Sequence, residues 1–126
     1  TADIQPALWR KLAINAAINP LTAIHGINNG ALAAAEFQAQ LEAIVSEVCV
    51  VAAAEGMHLP LAETLQQVQQ VIAATAANYS SMLQDVRVGR RTELAAITGY
   101  IVNTAARHGL AVPANQALWQ ALASTA

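Results

Sequence analysis

Lysine occurs once in these 126 residues, at Lys11, and cysteine once, at Cys49. A single cysteine rules out an internal disulfide and fits a cytoplasmic protein. Charge is scarce: 11% of residues are charged, against about 25% in an ordinary globular domain, while the apolar share is high at 56%. An evenly solvated surface therefore does not fit this chain, and charge is missing from somewhere. Six basic residues face eight acidic ones, with no basic stripe and five aromatic side chains, which argues against nucleic acid as a partner. The six glycines make neither G-x-G-x-x-G nor G-x-x-x-x-G-K-[ST], so any nucleotide must be held chiefly by something else. Long apolar runs are also absent. The uncharged stretch between Lys11 and Glu36 is broken by Asn15, Asn19, Pro20, His25, Gly26 and Asn28-Asn29-Gly30, and that from Thr64 to Gln84 is rich in Gln, Asn and Ser, so neither reads as a membrane span. Thr1 to Lys11 lacks the basic start and apolar run of a signal peptide.

What the chain has in plenty is alanine, at 30 positions. Alanine adds apolar fraction without bulk and favours closely packed helices. Helical periodicity is almost continuous, and no run of β-branched residues alternates with polar ones, so the expected class is all-α, a bundle of six or seven helices in a single domain over residues 1–126. The first helix is expected from an Asp3 N-cap to about Ile18, with Asn19-Pro20 as a kink or stop and a further turn over Leu21 to Ile24. Asn28-Asn29-Gly30 reads as a turn, Ala31 to Ala35 as a short helix, and Glu36 to Glu55 as a long one ended by Gly56. Pro60 opens a helix to about Ala77 or Asn78. Further helices are expected over Met82 to Val88, Leu94 to Arg107, and Ala114 to Ala123 after Pro113.

Several residues stand out as candidates for chemistry. Lys11 sits among Leu8, Leu12, Ala13 and Ile14 rather than on a charged face, and steps of four lead to Asn15 and Asn19. An ammonium and two carboxamides thus line one side of a helix over about 12 Å, a column able to hydrogen-bond a small polar anion. Equally, Lys11 could snorkel to solvent while the two asparagines satisfy nearby backbone. Ser81 with Gln84 has the spacing of a capping box, a structural role compatible with facing a carboxylate. Glu93 follows the basic run Arg87, Arg90, Arg91, where the helix dipole favours an acid, or else it lies near Lys11. Asn29 is most simply a turn residue. His25, His58 and His108 have no metal-ligand spacing, and Cys49 reads as a core thiol, so no metal site is expected.

Beyond these readings, the run Trp9-Arg10-Lys11-Leu12-Ala13-Ile14-Asn15-Ala16-Ala17-Ile18-Asn19-Pro20-Leu21-Thr22-Ala23-Ile24 resembles the start of the helical C-terminal domain of ketopantoate reductases, or 2-dehydropantoate 2-reductases. Asn29-Gly30, Asn78 to Asp85, Arg90-Arg91-Thr92-Glu93 and His108 to Asn115 resemble that family's later blocks, in the same order. The resemblance implies a 6-phosphogluconate dehydrogenase C-terminal-like fold and an enzyme that reduces ketopantoate to pantoate with NADPH, on the route to pantothenate and coenzyme A. It implies Lys11 as proton donor, Asn15, Asn19, Asn29 and Ser81 as substrate-binding residues, and Glu93 near the lysine and the cofactor. The family's N-terminal Rossmann domain, which binds most of the NADPH, has no counterpart here, so this chain alone is expected to be inactive. Two other readings remain open: a non-catalytic module that forms a homodimer through the alanine-rich helix Glu36 to Glu55, and a related reductase for another 2-oxo acid.

Overall fold

The computed structural model describes residues 5–126, and the expected Asp3 N-cap lies outside them. Six α-helices run in order: α1 (Gln5–His25), α2 (Ala35–Ala54), α3 (Leu61–Ala74), α4 (Ser81–Arg87), α5 (Tyr100–Arg107) and α6 (Pro113–Leu122). Short 3₁₀ turns at Asn29–Ala33 and Ala123–Thr125 and a π-helix at Ala95–Gly99 complete the described residues, which contain no strand. The chain is all-α. Helix α1 is the axis of the bundle and touches α2, α3, α4, α6, the first 3₁₀ turn and the π-helix. Its buried side is mostly small, with Ala13, Ala16, Ala17, Pro20 and Ala23 beside Trp9, Ile18 and Leu21. Such a surface lets several helices approach one axis closely.

The expected stop at Asn19-Pro20 does not occur: α1 continues through Pro20 to His25. An internal proline forfeits one backbone hydrogen bond and crowds the preceding turn, at about 3 kcal/mol. Ile18, Leu21 and Ala23, which lie on either side of it, are buried in the core, and burying each large apolar side chain returns about 1.5–3 kcal/mol. Tertiary burial outweighs the local rule.

By length and composition α2 could cross a membrane, with a mean hydropathy of 1.4. Here it is a core helix, since Leu41, Ile44, Val45, Val48 and Val51 are fully buried against its neighbours. Helix α3 stops at Ala74, short of the expected Ala77, because the following residues pair elsewhere: Asn29 N–H donates to Asn78 O at 2.9 Å and Gly30 N–H to Ala76 O at 3.0 Å. Gly30 is required at that crossing, as a Cβ there would stand 2.8 Å from the Ala76 Cβ. The expected short helix at Ala31 to Ala35 is instead the 3₁₀ turn, begun by the Asn28 side chain, which accepts from Ala31 N–H at 3.1 Å. The stretch expected as one helix from Leu94 to Arg107 is the π-helix running into α5.

Candidate functional site

Lys11 is exposed, and Asn15 and Asn19 are half-buried on the same side of α1. Among the described residues Arg90 pairs with Asp85 at 3.5 Å, and His108 Nε2 shares a hydrogen bond with Glu55 Oε2 at 2.5 Å. Lys11 takes part in neither, so its ammonium presents three donors at one end of a polar column. At the other end, α4 docks on α1. The Thr22 Oγ1 and Ser80 Oγ stand 2.6 Å apart in the core, and Thr22 Oγ1 also reaches Ile18 O at 2.9 Å and Asn19 O at 3.0 Å.

The structure changes the expected capping of α4. Ser80, not Ser81, is the N-cap: its backbone is extended (φ −60°, ψ 152°) and its Oγ accepts from Leu83 N–H at 3.1 Å. The Gln84 side chain donates to Tyr79 O at 2.9 Å rather than closing a box with Ser81. Because the helix starts one residue earlier than Ser81-Gln84 spacing implies, Ser81 is left exposed with its hydroxyl uncommitted to a cap. The segment before it is tied down by Asn29 through the bond to Asn78 O. Asn29 itself turns inward. Its Nδ2 donates to Thr75 Oγ1 at 3.0 Å, and its Oδ1 is buried without a protein partner.

Helix α1 therefore carries Lys11, Asn15 and Asn19 together, and hydrogen bonds hold the Asn78 to Ser81 segment beside the Asn19 end. Glu93 is exposed at the start of the helical run, where its carbonyl accepts from Ala96 N–H at 3.0 Å and Ile97 N–H at 3.1 Å, and its carboxylate makes no ion pair with Lys11. A cleft of about 410 Å³ opens beside α1, with Leu8, Trp9, Leu12, Ala96 and Tyr100 in its walls. Trp9 and Tyr100 meet there at 6.0 Å between ring centres. None of Lys11, Asn15 or Asn19 lines it.

Other features bear on what the site can hold. Among the described residues no group of three or more His, Cys, Asp or Glu side chains could hold a metal ion. Burial pushes the Cys49 thiol above its ordinary range, with a hydrogen bond from Thr64 opposing it. Glycine offers no phosphate cradle: Gly26, Gly56, Gly89 and Gly109 each follow a helix end, Gly30 backs onto Ala76, and Gly99 onto the Trp119 ring. The residues present thus suit a small polar acid better than the phosphates of a dinucleotide. Sequence reasoning missed the buried contact of Thr22 with Ser80, whose only signal is a hydroxyl residue two places after a proline and one just before a helix.

Residues 3–126 match the family model described as the C-terminal domain of the ketopantoate reductase PanE/ApbA. The chain belongs to this family. A 2-dehydropantoate 2-reductase from Vibrio cholerae is 54% identical over 118 residues, covering 94% of this chain and 40% of that protein. Among solved structures, a probable 2-dehydropantoate 2-reductase from Bacillus subtilis is 33% identical with a TM-score of 0.85, covering 93% of this chain and 39% of that one. The ternary structure of D-mandelate dehydrogenase with NADH and anilino(oxo)acetate is 26% identical with a TM-score of 0.93, covering 99% of this chain and 70% of that one. The ketopantoate reductase domain seen here thus spans about two fifths of the curated relatives it matches. That accounts for the resemblance at Trp9 to Ile24 and the later blocks.

Proposed function

We propose that this domain is the substrate-binding half of an NADPH-dependent reductase that converts ketopantoate to pantoate, with Lys11 as the proton donor. The observation that carries the reading is the column on α1: the only lysine of the chain, exposed and unpaired among the described residues, in line with Asn15 and Asn19. The dinucleotide, bound chiefly by a Rossmann domain, supplies a hydride to the ketone carbon when present. As negative charge gathers on the ketone oxygen, the Lys11 ammonium stabilises it and transfers a proton to it, leaving a neutral amine and the alcohol. The carboxamides of Asn15 and Asn19 donate to the substrate carboxylate and accept from its hydroxyl, and the free Ser81 hydroxyl completes the grip at the Asn19 end. Asn29 stands behind this wall. Its amide is committed to Thr75, so it serves substrate binding by holding the segment that carries Ser81, or directly once that amide turns outward. Glu93, an acceptor of hydrogen bonds and repellent to phosphate, suits the hydroxyl or amide groups of the cofactor rather than its phosphates.

The test joins this domain to a Rossmann half and follows ketopantoate-dependent NADPH oxidation in wild type and Lys11→Ala. A rate lost in the variant is the expected result, and equal rates overturn the proton-donor role. A second reading, a reductase for a different 2-oxo acid, draws support from the likeness to D-mandelate dehydrogenase over nearly the whole chain. The same assay decides it: a phenyl-substituted 2-oxo acid turned over with higher kcat/KM than ketopantoate would make it the better description.

A further inference from the structure

Two hydroxyls buried at the crossing of α1 and α4 have no part in the chemistry above. Thr22 is fully buried and Ser80 nearly so. Hydrogen-bond bookkeeping gives the contact a direction. Ser80 Oγ already accepts from Leu83 N–H, and among the described residues Thr22 Oγ1 meets, besides Ser80, the carbonyls of Ile18 and Asn19. Each hydroxyl has one proton to give. All bonds are satisfied when Ser80 O–H donates to Thr22 Oγ1 and the Thr22 proton is shared between Ile18 O and Asn19 O. A chain of hydrogen bonds then runs from the backbone of Asn19, through Thr22 and Ser80, to the first turn of α4, where Ser81 follows Ser80. Ser80 Oγ is called for in any case as the cap of α4, but Thr22 caps nothing, and an apolar side chain of similar shape could fill its place in the core, so packing alone does not call for a hydroxyl at Thr22. What the hydroxyls add is direction: they fix the rotation and height of α4 relative to the Asn19 turn.

We infer that Thr22 and Ser80 are positioning residues, which set the spacing between Asn19 and Ser81 and thereby the width of the 2-oxo acid site without touching the substrate. The inference rests on the proposed reading of Asn19 and Ser81 as substrate ligands. It predicts a specific kinetic pattern in the enzyme joined to its nucleotide-binding half. Thr22→Val, close in shape but without the hydroxyl, raises KM for the oxo acid about ten-fold and leaves KM for NADPH unchanged. Thr22→Ser keeps the hydroxyl and returns KM to near wild type. Ser80→Ala cuts the same link from the other side but also removes the α4 cap, so Thr22→Ala, which leaves that cap in place, is the second variant: it reproduces the rise, and the conclusion survives if Thr22→Val folds poorly.

Asn19→Ala and Ser81→Ala are measured in parallel. If they raise KM for the oxo acid and neither Thr22→Val nor Thr22→Ala does, the positioning role is overturned while the substrate site stands. If they leave KM unchanged, the substrate reading has failed and the positioning role falls with it. A thermal shift in Thr22→Val matched by Thr22→Ser, with no recovery of KM, assigns the pair to stability alone and also overturns the inference.

Discussion

Lys11 is exposed and free of ion pairs among the described residues, so its removal is expected to cost little stability, whereas the proposed proton-donor role puts its effect on turnover. Lys11→Ala in the joined enzyme is expected to lower kcat about 10²–10⁴-fold while thermal unfolding of the domain stays at the wild-type midpoint. Cys49 allows a pH test of a different kind. Burial holds its thiol above the ordinary value in the folded chain, so as pH rises the unfolded chain releases this proton first. The neutral thiol's contribution to stability is complete below the unfolded pKa and is lost as pH rises through the folded one. Denaturant titrations above pH 9 should show a decline that Cys49→Ala lacks, and identical slopes with pH would remove this account. Gly30→Ala places a methyl 2.8 Å from the Ala76 Cβ and is expected to cost about 1–3 kcal/mol in the same titration. The Lys11, Asn15 and Asn19 column was legible because a four-residue step on a helix is enough to see it. Thr22 with Ser80 was not, because their meeting depends on how two distant helices cross.

At the scale of elements, helix content was readable throughout, since a 3.6-residue period does not depend on partners. The ends were less so. Pro20 reads locally as a break, yet α1 passes through it because Ile18 and Leu21 are buried on either side. Ser81-Gln84 has a capping spacing, yet Ser80 caps because its hydroxyl is held against Thr22. The start of α6 shows a partner that no local pattern signals. The Glu47 carboxylate on α2 accepts from Ala114 N–H at 2.8 Å and from Asn115 N–H and Nδ2 at 2.9 Å, so α6 is capped from another helix. Glu47→Ala leaves those donors unpaired and is expected to destabilise the domain by about 2 kcal/mol in urea unfolding. A change below a few tenths would mean that water replaces the carboxylate without loss.

For the whole molecule, the charge deficit acquires an explanation. Among the described residues only six large apolar side chains are exposed, Leu8, Ile24, Val50, Tyr79, Val88 and Tyr100, and alanine occupies many of the remaining surface positions. Charge gives way to small side chains rather than to one broad apolar patch. Val50 is the only such residue on α2, so a second copy paired through α2 would rest mainly on alanine. If the dinucleotide is held chiefly by a Rossmann domain, as proposed, the isolated domain leaves NADPH fluorescence unchanged at concentrations that saturate the joined enzyme. A titration that saturates on the isolated domain would show a cofactor site of its own.

The central place of α1 has a consequence for how such a chain is made. The helix is first among those described, yet the helices that cover it come later, the last of them α6 at Pro113–Leu122. At about 5–20 residues per second, ribosomal synthesis leaves α1 waiting on the order of ten seconds for its final neighbour. On the buried side of α1 six small residues, Ala13, Ala16, Ala17, Pro20, Thr22 and Ala23, outnumber Trp9, Ile18 and Leu21, which leaves a stray chain less to grip during that interval, so small residues that ease tight packing afterwards also limit early adhesion of the nascent helix.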